Sequence, residues 1–297
     1  MYTKVGSLVI KMKFIKQNFT SSETDYIFDM IEEISREKFS DISEIFREIG
    51  LLLAEFQQSN EVIPFIKRFS DPAREPKYQL GQSICPDTRA ISDCFPTEKK
   101  GCIWVLPENF LKENLQEQKC VIVHELCHLI SGHSTYDLLV EMVSKYPKRH
   151  QGCVKVIKLC KQFFFEYEAI ICSLKRFPYC VESIIPIKAY PDFADIENYY
   201  KQISSKTEAL LFGLENSVKF LVLTKIYEFV SSNFTAQVSR FEEGKKYLEV
   251  QLGKMTETME KDLPINLKEY INEELFQNRS IFLSRIMELL ERAGYNT

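Results

Sequence analysis

The 297-residue chain is short of glycine, histidine and tryptophan, and it has no excess of basic residues. It contains 10 glycines, 4 histidines and 1 tryptophan, whereas glycine alone usually makes up about 7% of a globular protein. Few glycines together with many Glu, Lys, Leu and Ile residues favour a helix-rich chain. The 38 basic and 42 acidic side chains give a net charge of −4, so no nucleic-acid partner is expected.

Two further absences concern membranes and disulfides. No stretch reaches the roughly 18 uncharged apolar residues that a membrane helix needs. Lysines at 11, 13 and 16 interrupt the N-terminal apolar run, so neither a secretory signal nor a membrane association is expected. The nine cysteines include no CxxC pair, which disfavours a disulfide framework and a zinc knuckle. We therefore expect a cytoplasmic protein with reduced, mostly buried thiols.

Hydrophobic periodicity predicts a mixed N-terminal part followed by helices. Alternation over 8–16 predicts a strand, whereas the runs 25–34 and 42–56 have helical spacing. Residues 61–69 suggest an edge strand, and residues 70–101 suggest short strands and turns. Residues 102–106 suggest a further strand, which we expect to pair with an extended substrate. Further helices are predicted at 108–116, 118–132, 135–145, 153–176, 193–203, 206–232, 234–258 and 266–294. We thus expect an α+β, predominantly helical chain with a domain over 1–180 and a helical C-terminal region over 181–297.

An HExxH motif lies within the predicted helix 118–132. His124 and His128 are four residues apart, so both side chains lie on one helix face with Cβ atoms about 5–6 Å apart. Two imidazoles at that spacing can bind one Zn²⁺. Glu125 can instead reach a water molecule at the metal, take its proton and pass it to a leaving amine. This pattern predicts His124 and His128 as metal ligands and Glu125 as the general base.

Composition makes a chance match rare. With 4 histidines in 297 residues, roughly 0.006 HExxH matches are expected from composition alone. Apolar residues surround the motif, as a buried metal helix requires. The alternative interpretation is a core helix whose two histidines are hydrogen-bonded, but two histidines and a glutamate are costly to bury without a partner.

A catalytic zinc needs a third protein ligand and an open position. The pattern HExxHxxGxxH is disfavoured, because Ser131 and Ser134 occupy its glycine and third-histidine positions. A better match is the apolar segment 163–172, which two glutamates interrupt. Glu166 and Glu168 are two residues apart and so face different sides of a helix. The candidate third ligands are His133, Asp137, Glu141, His150, Glu166 and Glu168.

The segment His124–His133, followed by Glu166-Tyr167-Glu168-Ala169, resembles the gluzincin pattern HELxH…ExxA. The resemblance is to the ImmA/IrrE family of intracellular metallopeptidases, and it covers about residues 100–175. It implies a zincin-like fold with a small sheet, and a third ligand three residues before the alanine, which is Glu166. The position four after that ligand is usually Asp or Asn in the family but is Ile170 here, so Glu168 and Glu141 stay open.

The sequence therefore predicts a zinc metallopeptidase that hydrolyses a peptide bond in a cytoplasmic protein or peptide, with a regulatory protein as a further partner. His124, His128 and Glu166 would hold Zn²⁺, and Glu125 would be the general base. The alternative is a regulatory protein that binds zinc in the same fold without cleaving anything. The retained Glu125 argues against that alternative, because a catalytically inactive site has no need of a general base.

Overall fold

The computed structural model describes twelve stretches of the chain: 2–5, 8–14, 21–39, 48–53, 89–95, 100–105, 107–130, 144–145, 165–181, 193–234, 238–262 and 279–292. The strands are β1 Tyr2–Val5, β2 Leu8–Phe14, β3 Glu48–Leu53, β4 Ala90–Phe95 and β5 Lys100–Val105. The helices are α1 Ser21–Lys38, α2 Pro107–Phe110, α3 Leu115–Ile130, α4 Tyr167–Arg176, α5 Phe193–Gln202, α6 Lys206–Asn233, α7 Val238–Asp262 and α8 Arg279–Arg292. A 3₁₀ turn, Pro178–Cys180, follows α4.

The chain divides into two compact units. The first contains Met1–Asp137 and Glu168–Pro186, and the second contains Leu138–Tyr167 and Ile187–Thr297. The predicted division at 180/181 lies close to the junction at 186/187, but the prediction assigns 138–167 to the catalytic domain. None of the described helices combines the length and apolar composition of a membrane span.

The strands of the first unit form one mixed sheet in the order β1-β2-β3-β5-β4. The pairs β2–β3 and β3–β5 are parallel, and the outer pairs β1–β2 and β4–β5 are antiparallel. Ile103 and Val105 alternate along β5 and are fully buried, as expected for one face of a strand against a core. Helix α3 packs on β4 and β5, and α1 packs on α3. The motif helix therefore lies on the β4 side of the sheet.

Two predictions about strands are wrong. Residues 48–53 were expected in a helix, but they form β3, paired in parallel on both sides. A strand in a parallel environment is a continuous apolar run, here including Leu51, Leu52 and Leu53, which periodicity cannot distinguish from a buried helix. The predicted substrate-pairing strand 102–106 corresponds to β5, which pairs with β3 and β4. Among the described strands, β4 is the outer one on that side.

The predicted fold class, a zincin-like α+β domain with a small sheet, is wrong for the residues whose side chains the structure describes, because those residues are overwhelmingly helical. The strands have four to seven residues, whereas α6 and α7 have 28 and 25. At the strand positions whose side chains are described, Ala90, Ile103 and Val105 are buried apolar residues.

The second unit is helical in its described part, and α6 packs along α7. Glycines allow the two helices to approach closely, because a Cβ at Gly213 would overlap Met259 and one at Gly244 would overlap the Tyr227 ring. Ser205 caps α6 by accepting a hydrogen bond from the Glu208 amide. The predicted helices 193–203, 206–232 and 234–258 are confirmed as α5, α6 and α7.

Several predictions lie outside the described residues. They are the strand 61–69, most of the segment 70–101, the helix 135–145 apart from its last two residues, residues 153–164 and residues 266–278.

Candidate metal site

Helix α3 presents the HExxH motif, and its first turn is fixed by polar contacts. Asn114 caps the helix by accepting a hydrogen bond of 3.0 Å from the Glu117 amide. Buried Gln118 donates to the Glu113 carbonyl at 2.8 Å and accepts from the Tyr26 hydroxyl at 2.8 Å. Lys119 also forms an ion pair of 2.9 Å with Glu33. These contacts fix α3 in position against α1.

Glu113, which lies two residues before the start of α3, has a raised pKa. A side-chain hydrogen bond with Glu117, together with burial, raises the pKa of Glu113, and its ion pair with Arg89 opposes that rise. This group lies near the N-terminus of α3, about three turns from His124. Glu113 therefore interacts with residues near the start of α3 and is not part of the metal site.

Beyond its first turn, α3 buries an apolar stripe. Cys120, Ile122, Val123, Leu126, Cys127 and Leu129 are at most 1% exposed. His124 and His128 are half-buried on a face beside this stripe. The apolar contacts therefore determine which way the two imidazoles project.

The two imidazoles converge. Their Nε2 atoms lie 3.1 Å apart, and the rings are perpendicular, with centroids separated by 4.5 Å at an interplanar angle of 79°. Two nitrogens that each bind a tetrahedral zinc at about 2.0–2.1 Å are about 3.3 Å apart. The observed separation is within a few tenths of an ångström of that value, so the pair fits a shared metal ion.

Glu166 supplies the third ligand atom. It lies in π-helical backbone, described at residues 165–166, that leads directly into α4. Its carboxylate and the two imidazoles each offer an atom, and these atoms lie within 4.8 Å of one another. Such widened turns often occur at functional sites. The structure thus brings together the three residues predicted from the sequence as metal ligands.

The other candidate ligands are not part of this group. Glu168 is half-buried in the first turn of α4, outside the group that the described residues form around the two histidines. His133, Asp137, Glu141 and His150 lie outside the described residues. Ala169 and Ile170, which follow the glutamates, are both buried.

The helix that follows Glu166 is anchored at its far end. Arg176 donates to the carbonyl of Lys38 at 2.7 Å and stacks over the Phe39 ring at 4.7 Å from its centroid. Beyond α4, the carbonyl of Tyr179 accepts a hydrogen bond of 3.3 Å from Gln116 of α3. These contacts hold α4 against the ends of α1 and α3.

Glu125 is a buried carboxylate that directly follows His124 in the sequence. It is 7% exposed, and no hydrogen bond or ion pair joins its side chain to another residue in the described part of the chain. A buried carboxylate needs a compensating charge or hydrogen bond. A cation held by the neighbouring His-His-Glu group would supply the charge, so Glu125 and the donor set both fit a metal centre.

Sequence reasoning did not identify the neighbours of Cys127. Burial raises the pKa of this thiol, and a hydrogen bond with the Cys172 thiol raises it further, whereas Ser173 and Arg176 act in the opposite direction. Ser173 also donates to the carbonyl of Ala169 at 2.6 Å. Helical spacing gives no information on which face of α4 meets α3, so the sequence carries no signal for this contact.

No protein-family model, curated protein or solved structure matches this chain. Two imidazoles and a carboxylate form a donor set that zinc and other divalent first-row metals accept.

Proposed function

We propose that this chain is a zinc-dependent metallopeptidase that hydrolyses peptide bonds in a peptide or protein substrate. The observation that carries the proposal is the convergence of His124, His128 and Glu166, whose ligand atoms lie within 4.8 Å of one another. Three protein ligands of this type leave a fourth position open, as in catalytic zinc sites. The resemblance of the motifs to the ImmA/IrrE family supports the same function.

When bound, zinc would lower the pKa of water and polarise a substrate carbonyl. Glu125 is the general base: it takes a proton from the attacking water and delivers that proton to the amine that leaves. Its position next to His124 keeps it close to the ligand pair, and its burial separates it from bulk solvent. In low-dielectric surroundings the Glu125 carboxylate interacts more strongly with the positive charge that develops on the leaving amine.

We further propose that the protein acts in the cytoplasm. Cys120, Cys127 and Cys172 are not in disulfides, which is the usual state of cysteines in a reducing compartment. A cytoplasmic peptide or protein substrate, with a regulatory protein as a further partner, is consistent with that location.

The test is hydrolysis of a peptide library by the zinc-loaded, tag-free chain, with new amino termini identified by mass spectrometry. The Glu125→Gln variant is the matched control, because the amide has the size of the carboxylate but cannot accept the proton. We expect new termini with the parent chain, at least about 100-fold fewer with Glu125→Gln, and equal zinc content in both.

Two results would contradict the proposal. Equal cleavage by both proteins would exclude Glu125 as the general base. A fully zinc-loaded parent chain that releases no termini would favour the regulatory protein that binds zinc without cleaving a substrate.

A further inference from the structure

Arg176, the last residue of α4, caps the end of a different helix. Its guanidinium donates at 2.7 Å to the carbonyl of Lys38, the last residue of α1. The last carbonyls of a helix have no intrahelical partner, and a cation at that end also interacts favourably with the helix dipole. The guanidinium carbon lies 4.7 Å from the centroid of the Phe39 ring, which is completely buried. A hydrogen bond and a cation–π contact therefore fix Arg176 together.

Helix α1 is in turn held against α3, the helix that carries the two histidines. The Tyr26 hydroxyl donates to the Gln118 side chain at 2.8 Å, and Lys119 forms an ion pair of 2.9 Å with Glu33. Tyr26 and Glu33 are seven residues apart, which is about two turns of α1. Arg176 thus joins α4 to a helix that is itself bound to the motif helix at two points.

Helix α4 connects Arg176 to the third ligand. Glu166 lies ten residues earlier, about 15 Å along a helix, and the backbone from Glu166 to Arg176 is helical without a break. Residues two apart point about 200° away from each other around a helix axis. The rotation of α4 therefore decides whether Glu166 or Glu168 faces the imidazoles. In the observed rotation the ligand atom of Glu166 lies within 4.8 Å of those of the histidines.

A second contact lies near the same end of α4 but does not fix its rotation. Gln116 donates to the carbonyl of Tyr179 at 3.3 Å. Tyr179 lies in the 3₁₀ turn that follows α4, so this hydrogen bond holds the turn and not the helix. Among these anchoring contacts, the one made by Arg176 is the one that lies on α4 itself.

We propose that Arg176 is a positioning residue for the metal site, which fixes the rotation of α4 and so directs Glu166 toward the two imidazoles. This role rests on the proposed metallopeptidase function, because it requires the same metal centre. The histidines lie on α3 and keep their positions when the anchor is lost. The effect of Arg176 is therefore confined to one of the three ligands.

The test is the zinc affinity of the full chain, measured by competition with a chromophoric chelator. Arg176→Ala should bind zinc about 10-fold more weakly than the parent, at the lower end of the 10–100-fold cost of removing a residue that orients a ligand. Lys175→Ala is the matched control, because it removes the same charge from the neighbouring exposed position of α4. Its affinity should equal that of the parent.

The same substitution in the Glu166→Gln background separates positioning from a general structural role. There, Arg176→Ala should change the zinc affinity by less than about twofold, because the ligand through which Arg176 acts is already lost. A purely structural role would lower the affinity by the same factor in both backgrounds. Circular dichroism checks that each variant keeps the helix content of the parent. Should Arg176→Ala not fold, Arg176→Lys serves in both backgrounds, because it keeps the charge but loses the planar fork.

The outcomes distinguish the positioning role from the metal centre. An unchanged affinity in the Arg176 variant, or an equal loss in the parent and Glu166→Gln backgrounds, would overturn the positioning role and leave the metal centre intact. Parent protein that binds no zinc would overturn the metal centre and the positioning role with it.

Discussion

His124 and His128 direct their Nε2 atoms toward each other at 3.1 Å across one turn of α3. This relationship depends on a single helix, because residues four apart share a face. Glu166 reaches the pair from a separate part of the chain, and its ligand atom lies within 4.8 Å of theirs. The proposed metal centre thus combines one local pair with one long-range ligand.

The first prediction separates the two glutamates at the start of α4. Glu166→Gln should weaken zinc binding more than about 100-fold, since even residues that only support a ligand cost 10–100-fold. Glu168→Gln is the matched control, and its affinity should stay close to that of the parent. Titration against a chromophoric chelator measures both. A larger loss in Glu168→Gln than in Glu166→Gln would transfer the third-ligand role to Glu168.

The second prediction concerns the close packing of α6 and α7. Gly244→Ala should destabilise the protein by about 1–3 kcal/mol, because the new Cβ overlaps the buried Tyr227 ring. Gly253→Ala, on the same helix, meets nothing within 4 Å and should stabilise the protein by about 0.5–1 kcal/mol. Thermal unfolding of the two variants compares them directly. Equal unfolding temperatures would refute this account of the interface.

The third prediction concerns pH. A hydrogen bond from Lys225 at 2.9 Å lowers the pKa of Glu228, and Lys245 at 3.8 Å assists. The folded-state pKa of Glu228 is therefore below its unfolded value of about 4.3. The ionised carboxylate stabilises the folded protein at pH values above about 4.3, and this stabilisation is lost as the pH falls through the lowered pKa.

Glu228→Gln should therefore lower the unfolding temperature at pH 7. The difference from the parent should shrink below pH 4 and vanish once the carboxylate of the parent is protonated. The exposed Glu215 on the same helix provides the control Glu215→Gln. A difference that stays constant between pH 7 and pH 3 would show that the ion pairs are not its cause.

The sequence predicts the features of this structure that depend on local patterns, but not those that depend on long-range contacts. The helix of the motif, predicted over 118–132, is observed as Leu115–Ile130, because its apolar stripe is a local signal. Strand β3 was mispredicted, since the consecutive leucines of 51–53 fit a buried helix as well as a parallel strand. Tertiary contacts decide between those alternatives.

Only the local part of the candidate metal site could likewise be predicted from the sequence. The spacing of His124 and His128 predicts their convergence, whereas the choice between Glu166 and Glu168 depends on how α4 is rotated against α3. That rotation is determined by contacts such as the one between Arg176 and Lys38, which no local pattern encodes.

The most direct test of the central claim is the metal content of the tag-free chain, measured by elemental analysis. The parent and Cys120→Ala should each contain about one zinc per chain, and His124→Ala should contain almost none while keeping the helical circular dichroism of the parent. Parent protein without zinc even after reconstitution, or zinc that survives in His124→Ala, would contradict the proposed metal centre.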